Sequence, residues 1–248
     1  RLFKKYNDVY YNREDYFGLV KQEIRKLMAK QVEGIIYVTA HERIMHCIPD
    51  NLPIPAVMAY GYTQSGKVPS VVVHDAYEAV QYLIERGHKQ IGVITGKNDS
   101  IHMQARLVGY QKALRDNGLM YNPEFIYYGD WNREAGYNGT EKLLDRGVTA
   151  IFCMNDIMAG GVYDRADELG LRIPEDISVV GYDNRELSSY YKPPLTTITL
   201  PLHDIGYRAA EVMIDLLDKK IMPQKEELVY LMPCHRLVRK SVKEQIRQ

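Results

Sequence analysis

From Gln90 onward the chain alternates between short apolar, β-branched runs and longer stretches of helical periodicity. Gln90 to Thr95, Phe125 to Tyr128, Ala150 to Met154 and Ile177 to Tyr182 read as strands. Asp99 to Asn117, Asn132 to Arg146 and Asp156 to Leu169 read as the intervening helices. They stop at Gly118, Gly147 and Gly170, where left-handed C-caps fall. Strands alternating with helices of about ten to fifteen residues build βαβ units, and so a mostly parallel, doubly wound α/β sheet.

The first third follows a looser version of the same pattern. Asn12 to Lys30 reads as a helix, with Asn12 as N-cap and Phe17, Val20, Ile24, Leu27 and Met28 on one apolar face. Gly34 to Thr39, Ile54 to Tyr60 and Val71 to Val73 read as strands, and Asp75 to Arg86 as a helix closed by Gly87-His88. After Pro193-Pro194, Leu195 to Leu200 reads as a short extended crossing, His203 to Lys219 as a helix, and Glu227 to Leu237 as extended. Single cores stop growing near ~250 residues, so 248 residues are comfortable for two lobes. With crossings near Val73, Thr197 and Leu228, one lobe takes residues 1–73 plus 199–226 and the other 74–197 plus 228–248. Such a lobe normally opens with a strand and a helix. Only Arg1-Leu2-Phe3 precedes polar Lys4-Lys5, so the natural protein is expected to extend further N-terminally.

Composition removes several function classes. Lys plus Arg and Asp plus Glu are 32 each, which gives no net pull toward nucleic acid; a free-standing DNA-binding domain is usually basic. No apolar run approaches the ~18 residues of a membrane span, and the N-terminus has no secretion-signal pattern. Cys47, Cys153 and Cys234 are odd in number and far apart, which favours a reducing cytoplasm. Twenty tyrosines against four phenylalanines suit a polar-edged surface as readily as a pocket. Thr95 to Ser100 lacks the spacing of a phosphate-binding loop, and no serine stands in a nucleophile elbow. His41, His46 and Cys47 cluster loosely but fall short of the roughly four ligands a metal needs. No enzyme activity, metal or cofactor is expected.

Four polar or aromatic residues fall at or just beyond the carboxyl ends of successive strands: Arg106, Trp131, Asn155 and Asp183. Ligands of open α/β sheets collect at that edge. Arg offers a fork of donors, Asn a donor and an acceptor, Asp acceptors for two hydroxyls, and Trp a flat apolar face. The set suits a small polyhydroxylated ring, and a nucleoside would stack on the same indole. Each residue also has a plainer reading. Arg106 would be a surface ion-pair partner, Trp131 a core residue, Asn155 or Asp156 the N-cap of the next helix, and Asp183 a cap for Asn184 to Ser189.

Several segments carry a resemblance: Tyr82 to Ile91, Arg106 to Tyr110, Gly129 to Gly136, Asn155 to Ala159, Ile173 to Asp183, Pro194 to Ile198 and the closing Arg236 to Arg239. Over most of its length from about Val32 the chain resembles the effector-binding domain of the lactose-repressor/galactose-repressor family of transcription regulators. The resemblance implies two Rossmann-like lobes of the type I periplasmic-binding-protein kind. It also implies a small effector, most simply a sugar, lodged between them and lined by Arg106, Trp131, Asn155 and Asp183, a homodimer, and operator DNA read by a helix-turn-helix head that this chain does not contain. Two departures stand out. Ala59 and Tyr60 replace a carboxylate common in the family, leaving Tyr60 as a candidate for stacking or hydrogen bonding, and His102 stands where small hydroxyl residues are common. The junction Val73-His74-Asp75 is about three residues shorter than the usual loop. The alternative function is an exported sugar-binding protein of a transport system.

Overall fold

The computed structural model describes residues 14–39, 44–49, 52–73, 76–98, 100–221 and 228–245. The chain divides into two compact units, Arg1–Val73 with Leu202–Met232 and His74–Pro201 with Pro233–Gln248. The expected cap Asn12, together with His41, His74, Asp75 and Asp99, lies outside the described residues.

In the first unit, helix α1 (Glu14–Ala29) precedes β1 (Ile35–Val38), β2 (Ile44–Met45), β3 (Ala56–Ala59), β4 (Tyr62–Thr63) and β5 (Ser70–Val73). The later helix α7 (Leu202–Leu217) and strand β11 (Val229–Met232) also belong here. The order β1-β3-β5-β11 is parallel throughout. Val57, Met58, Val71 and Val72 are fully buried, as strands covered on both faces require.

The second unit holds α2 (Tyr77–Glu85), β6 (Ile91–Ile94), α3 (Ile101–Asp116), β7 (Ile126–Tyr127), α4 (Arg133–Leu144), β8 (Ala150–Cys153), α5 (Asp156–Glu168), β9 (Ser178–Asp183), α6 (Leu187–Tyr190), β10 (Thr196–Thr199) and β12 (His235–Leu237). Its order is β12-β10-β9-β8-β6-β7, parallel except for β12, which runs antiparallel to β10. After β6 the chain steps outward to β7 and then returns to the other side of β6 as β8, so the β6–β8 gap is a topological switch point. Helices α4 and α5 meet backbone to backbone. A Cβ on Gly136 would lie 1.8 Å from the Met158 carbonyl oxygen, and one on Gly161 1.9 Å from that of Arg133. That contact fixes where α5 begins, and with it Asn155 and Asp156.

The structure differs from the expected partition at two joints. Residues Leu228–Met232, expected in the second lobe, stay in the first unit, because β11 pairs with β5 (Val229 with Ser70, Met232 with Val73). Pro233, which cannot donate to a ladder, separates β11 from β12, so the expected single extended segment is two strands in two different units. The segment from Thr199, expected in the first lobe, stays in the second unit until Pro201 because Thr199 pairs with Asp183 and His235. The two-residue strands β2 and β4, which pair with each other, and the short helix α6 add to the expected elements.

Candidate functional site

Arg106 stands on α3, the helix that leaves the switch point, and its guanidinium is turned inward. The residue is only 4% exposed. It donates to the Met154 carbonyl oxygen and, at 3.4 Å, to Asp183 Oδ1. Its Cζ lies 3.7 Å from the Tyr182 ring centroid and 5.6 Å from that of Trp131. The surface ion-pair reading is therefore displaced: this charge is desolvated and held by a carboxylate and two aromatic faces, a setting suited to a stacking, delocalised guanidinium.

Asp183 ends β9, and its carboxylate also receives Arg185 Nε at 3.4 Å. It does not cap α6, whose N-cap position is Glu186 with no side-chain capping bond. Asp183 and Asn184 have φ of +104° and +54°, and Trp131 has +60°. Non-glycine residues rarely take such angles, and each costs on the order of 1–3 kcal/mol unless its surroundings enforce it; such strain gathers at ligand clamps and switch regions. Here the enforcement is visible. The Asn184 N–H donates to Thr197 Oγ1 at 3.4 Å, and Arg239 donates to Asn184 Oδ1 at 2.8 Å.

Trp131 is half-buried, which departs from an ordinary core tryptophan. Its indole occupies the space a side chain at position 96 would need: a Cβ on Gly96 would fall 1.8 Å from Trp131 Cε2. Asn155 joins the plainer reading to the sharper one. Its Oδ1 accepts from the Met158 N–H at 2.7 Å as the N-cap of α5, and its Nδ2 donates to the Trp131 carbonyl oxygen at 2.9 Å. The His102 ring meets Trp131 edge-on at 6.3 Å between centroids.

Arg106, Trp131, Asn155, Asp183 and His102 are thus gathered at one edge of one sheet. Tyr60 belongs to the other unit, where it follows β3 at φ +65°, buried, with its carbonyl oxygen accepting from the Thr39 hydroxyl. Cys47 lies in the first unit's apolar cluster with Met45, Ile48, Met58 and Val68.

Sequence reasoning missed two members. Tyr182 reads simply as the last residue of an apolar strand, although an aromatic immediately before a strand-end carboxylate is the available signal. Asp156 reads as a possible cap, yet it is fully buried. It accepts from Thr197 Oγ1 at 2.6 Å and from the Arg185 N–H at 2.7 Å. Burial pushes its carboxyl up to about 7, and the Asp183 charge adds to that; the two hydrogen bonds and the Arg239 charge pull the other way.

The family described as the periplasmic binding protein-like domain matches residues 80–242. The chain is 36% identical over 230 residues to the HTH-type transcriptional repressor CytR of Escherichia coli strain K12, covering 90% of this chain and 66% of that protein. It thus spans a little under two thirds of that relative. Among solved structures it is similar to a LacI family transcriptional regulator from Enterococcus faecium with bound ribose (TM-score 0.71, 29% identity, 89% of this chain and 84% of that one). It is also similar to the lac repressor dimer bound to operator and an anti-inducer (TM-score 0.70, 27% identity, 92% and 79%).

Proposed function

Because this chain belongs to the lactose-repressor/galactose-repressor family of transcription regulators, through the effector-binding domain of that family, we propose that it is the effector-sensing core of a transcriptional repressor. The effector is a small hydroxyl-rich molecule, most simply a saccharide, and it binds at the carboxyl edge of the second unit's sheet. One observation carries the reading. The Arg106–Asp183 pair, 3.4 Å apart and beside the half-buried indole of Trp131, joins the helix that leaves the β6–β8 switch point to the strained turn at the end of β9. A sugar hydroxyl bridging the two would gain charge-assisted hydrogen bonds of roughly 1.5–3 kcal/mol each, while the ring's C–H face rests on the indole. Asn155 holds Trp131 in place and keeps one acceptor lone pair for the ligand. The ribose found in the Enterococcus faecium relative supports the saccharide class.

We further read the two units as the two lobes of the effector domain, working as a homodimer in the cytoplasm, with operator DNA read by a head outside this chain. The repressor relatives and the operator-bound lac repressor dimer favour this over an exported solute-binding protein and over an enzyme. No helix among the described residues is long and apolar enough to cross a membrane. Calorimetry with a panel of mono- and disaccharides and nucleosides tests the site: a saccharide should bind, and Trp131→Ala should weaken it at least tenfold. Saturable nucleoside binding with no saccharide binding would reassign the ligand class. Sedimentation of the chain should give a dimer.

A further inference from the structure

Asp156 contributes nothing to the edge where a ligand would lie, yet it touches the elements that shape that edge. Its Oδ1 accepts from Thr197 Oγ1 on β10 at 2.6 Å, and its Oδ2 accepts from the backbone N–H of Arg185, the residue that follows the strained Asp183–Asn184 pair, at 2.7 Å. The same Thr197 hydroxyl receives the Asn184 N–H. Position 181 must be glycine for the carboxylate to fit, because a Cβ there would stand 2.2 Å from Asp156 Oδ1. The turn that aims Asp183 at Arg106 is therefore tied to one buried carboxylate, directly through the Arg185 N–H and through Thr197, with Arg239 holding Asn184 from the other side.

We propose that Asp156 is a proton-dependent positioning residue: ionised, its carboxylate pins Arg185 and through it the left-handed Asp183–Asn184 turn, and on protonation that turn, with the Asp183–Arg106 pair and the adjoining Trp131, relaxes. This rests on the effector-site reading above and names how that site is regulated. The ionisable groups facing Asp156 come from several elements: Cys153 at the end of β8, Tyr163 on its own helix, Asp183 and Arg185 at the end of β9, Tyr191 after α6, and Arg239 in the C-terminal segment. Burial holds both the Cys153 thiol and the Tyr163 hydroxyl in their protonated forms through neutral pH. Burial likewise raises the Tyr191 hydroxyl. Arg185 and Arg239 are cations throughout, as arginines are. The group facing Asp156 with the same sign is Asp183. The two hydrogen bonds favour the ionised form of Asp156, while burial and the Asp183 charge oppose it. Balanced in this way, Asp156 changes charge near neutral pH. A ligand that donates hydroxyls to Asp183 would spread that charge and favour ionised Asp156, so effector affinity should rise with pH through neutrality.

Trp131 is the chain's only tryptophan and lies 5.6 Å from Arg106, so its emission reports on the turn without any ligand. The measurement is Trp131 fluorescence from pH 5.5 to 8.5 in a His102→Gln background, which removes the titratable ring 6.3 Å from the indole. With position 156 native, one transition centred near 7 is expected. Asp156→Asn should abolish it. Thr197→Val, which removes a bond favouring the ionised form, should move the midpoint up by about one pH unit. A transition that survives Asp156→Asn, or a midpoint that Thr197→Val leaves unmoved, overturns the proposal. Since no ligand is used, such a failure would leave the effector reading standing, whereas a chain that binds no saccharide would remove the effector reading alone.

Discussion

The two ends of the second unit's sheet treat buried charge in opposite ways. At the amino ends, His88 is fully buried between Thr149 and the C-terminal segment, with Nδ1 2.9 Å from Thr149 Oγ1 and Nε2 3.3 Å from the Lys243 carbonyl oxygen. Burial drives its pKa down to about 4, so the ring is neutral and its hydrogen bonds are local. At the carboxyl ends the Arg106 charge persists, buried against Asp183; Asp156 gains its charge only as pH rises through about 7, and Trp131, Asp183 and Asn184 hold positive φ. One end is arranged for stability. The other tolerates strain and desolvated charge, which is expected where a ligand must later be gripped.

The largest break in that contrast should come from Arg106→Ala. Removing the buried guanidinium takes the donor from the Met154 carbonyl oxygen and leaves Asp183 with Arg185 alone, at a cost of about 3 kcal/mol in folding stability, and it should also abolish saccharide binding within the range of calorimetry. Denaturant unfolding and titration together measure both losses.

The second break is a matter of sign. Asp156 has a raised pKa, so its contribution to stability is full below the unfolded value near 4 and is lost as pH rises through about 7. His88 has a lowered pKa, so its contribution is present above the unfolded value near 6.5 and is lost as pH falls toward about 4. Over the shared window the two trends oppose each other, and unfolding free energy in the native chain should vary weakly with pH. Asp156→Asn should expose a rise with pH, and His88→Gln a fall. Each should be on the order of 3 kcal/mol across the window, because a tenfold change in a protonation equilibrium is worth about 1.4 kcal/mol. Two variants with parallel profiles would contradict the contrast between the two ends.

The smallest effect concerns the backbone. Trp131→Gly should be more stable than Trp131→Ala by about 1 kcal/mol, because glycine takes φ +60° without penalty. Equal thermal midpoints would mean that the turn relaxes once the indole is gone.

Much of this was legible in the residues because parallel strands and their helices carry local signals. Strand ends locate ligand-facing positions by topology alone, which placed Arg106, Trp131, Asn155 and Asp183 on one edge. What stayed hidden depends on contacts distant in sequence. Nothing near Arg106 announces that its guanidinium turns inward onto Tyr182, 76 positions further along the chain. Asp156 and Asn155 look interchangeable as caps, and only Gly181, Thr197 and Arg185 together make the first a buried carboxyl and leave the capping to the second. Two-residue strands such as β2 and β4 are too short to show periodicity, and the split of 228–237 follows from partners in two separate sheets.

The most direct measurement of the central claim is a calorimetric titration of the saccharide panel into the native chain, Trp131→Ala and Asp183→Asn in parallel. At least one saccharide should bind the native chain saturably, with affinity weakened at least tenfold by the first substitution and lost with the second. A saccharide that binds all three with equal affinity would place the effector elsewhere and contradict the assignment of this edge as its site.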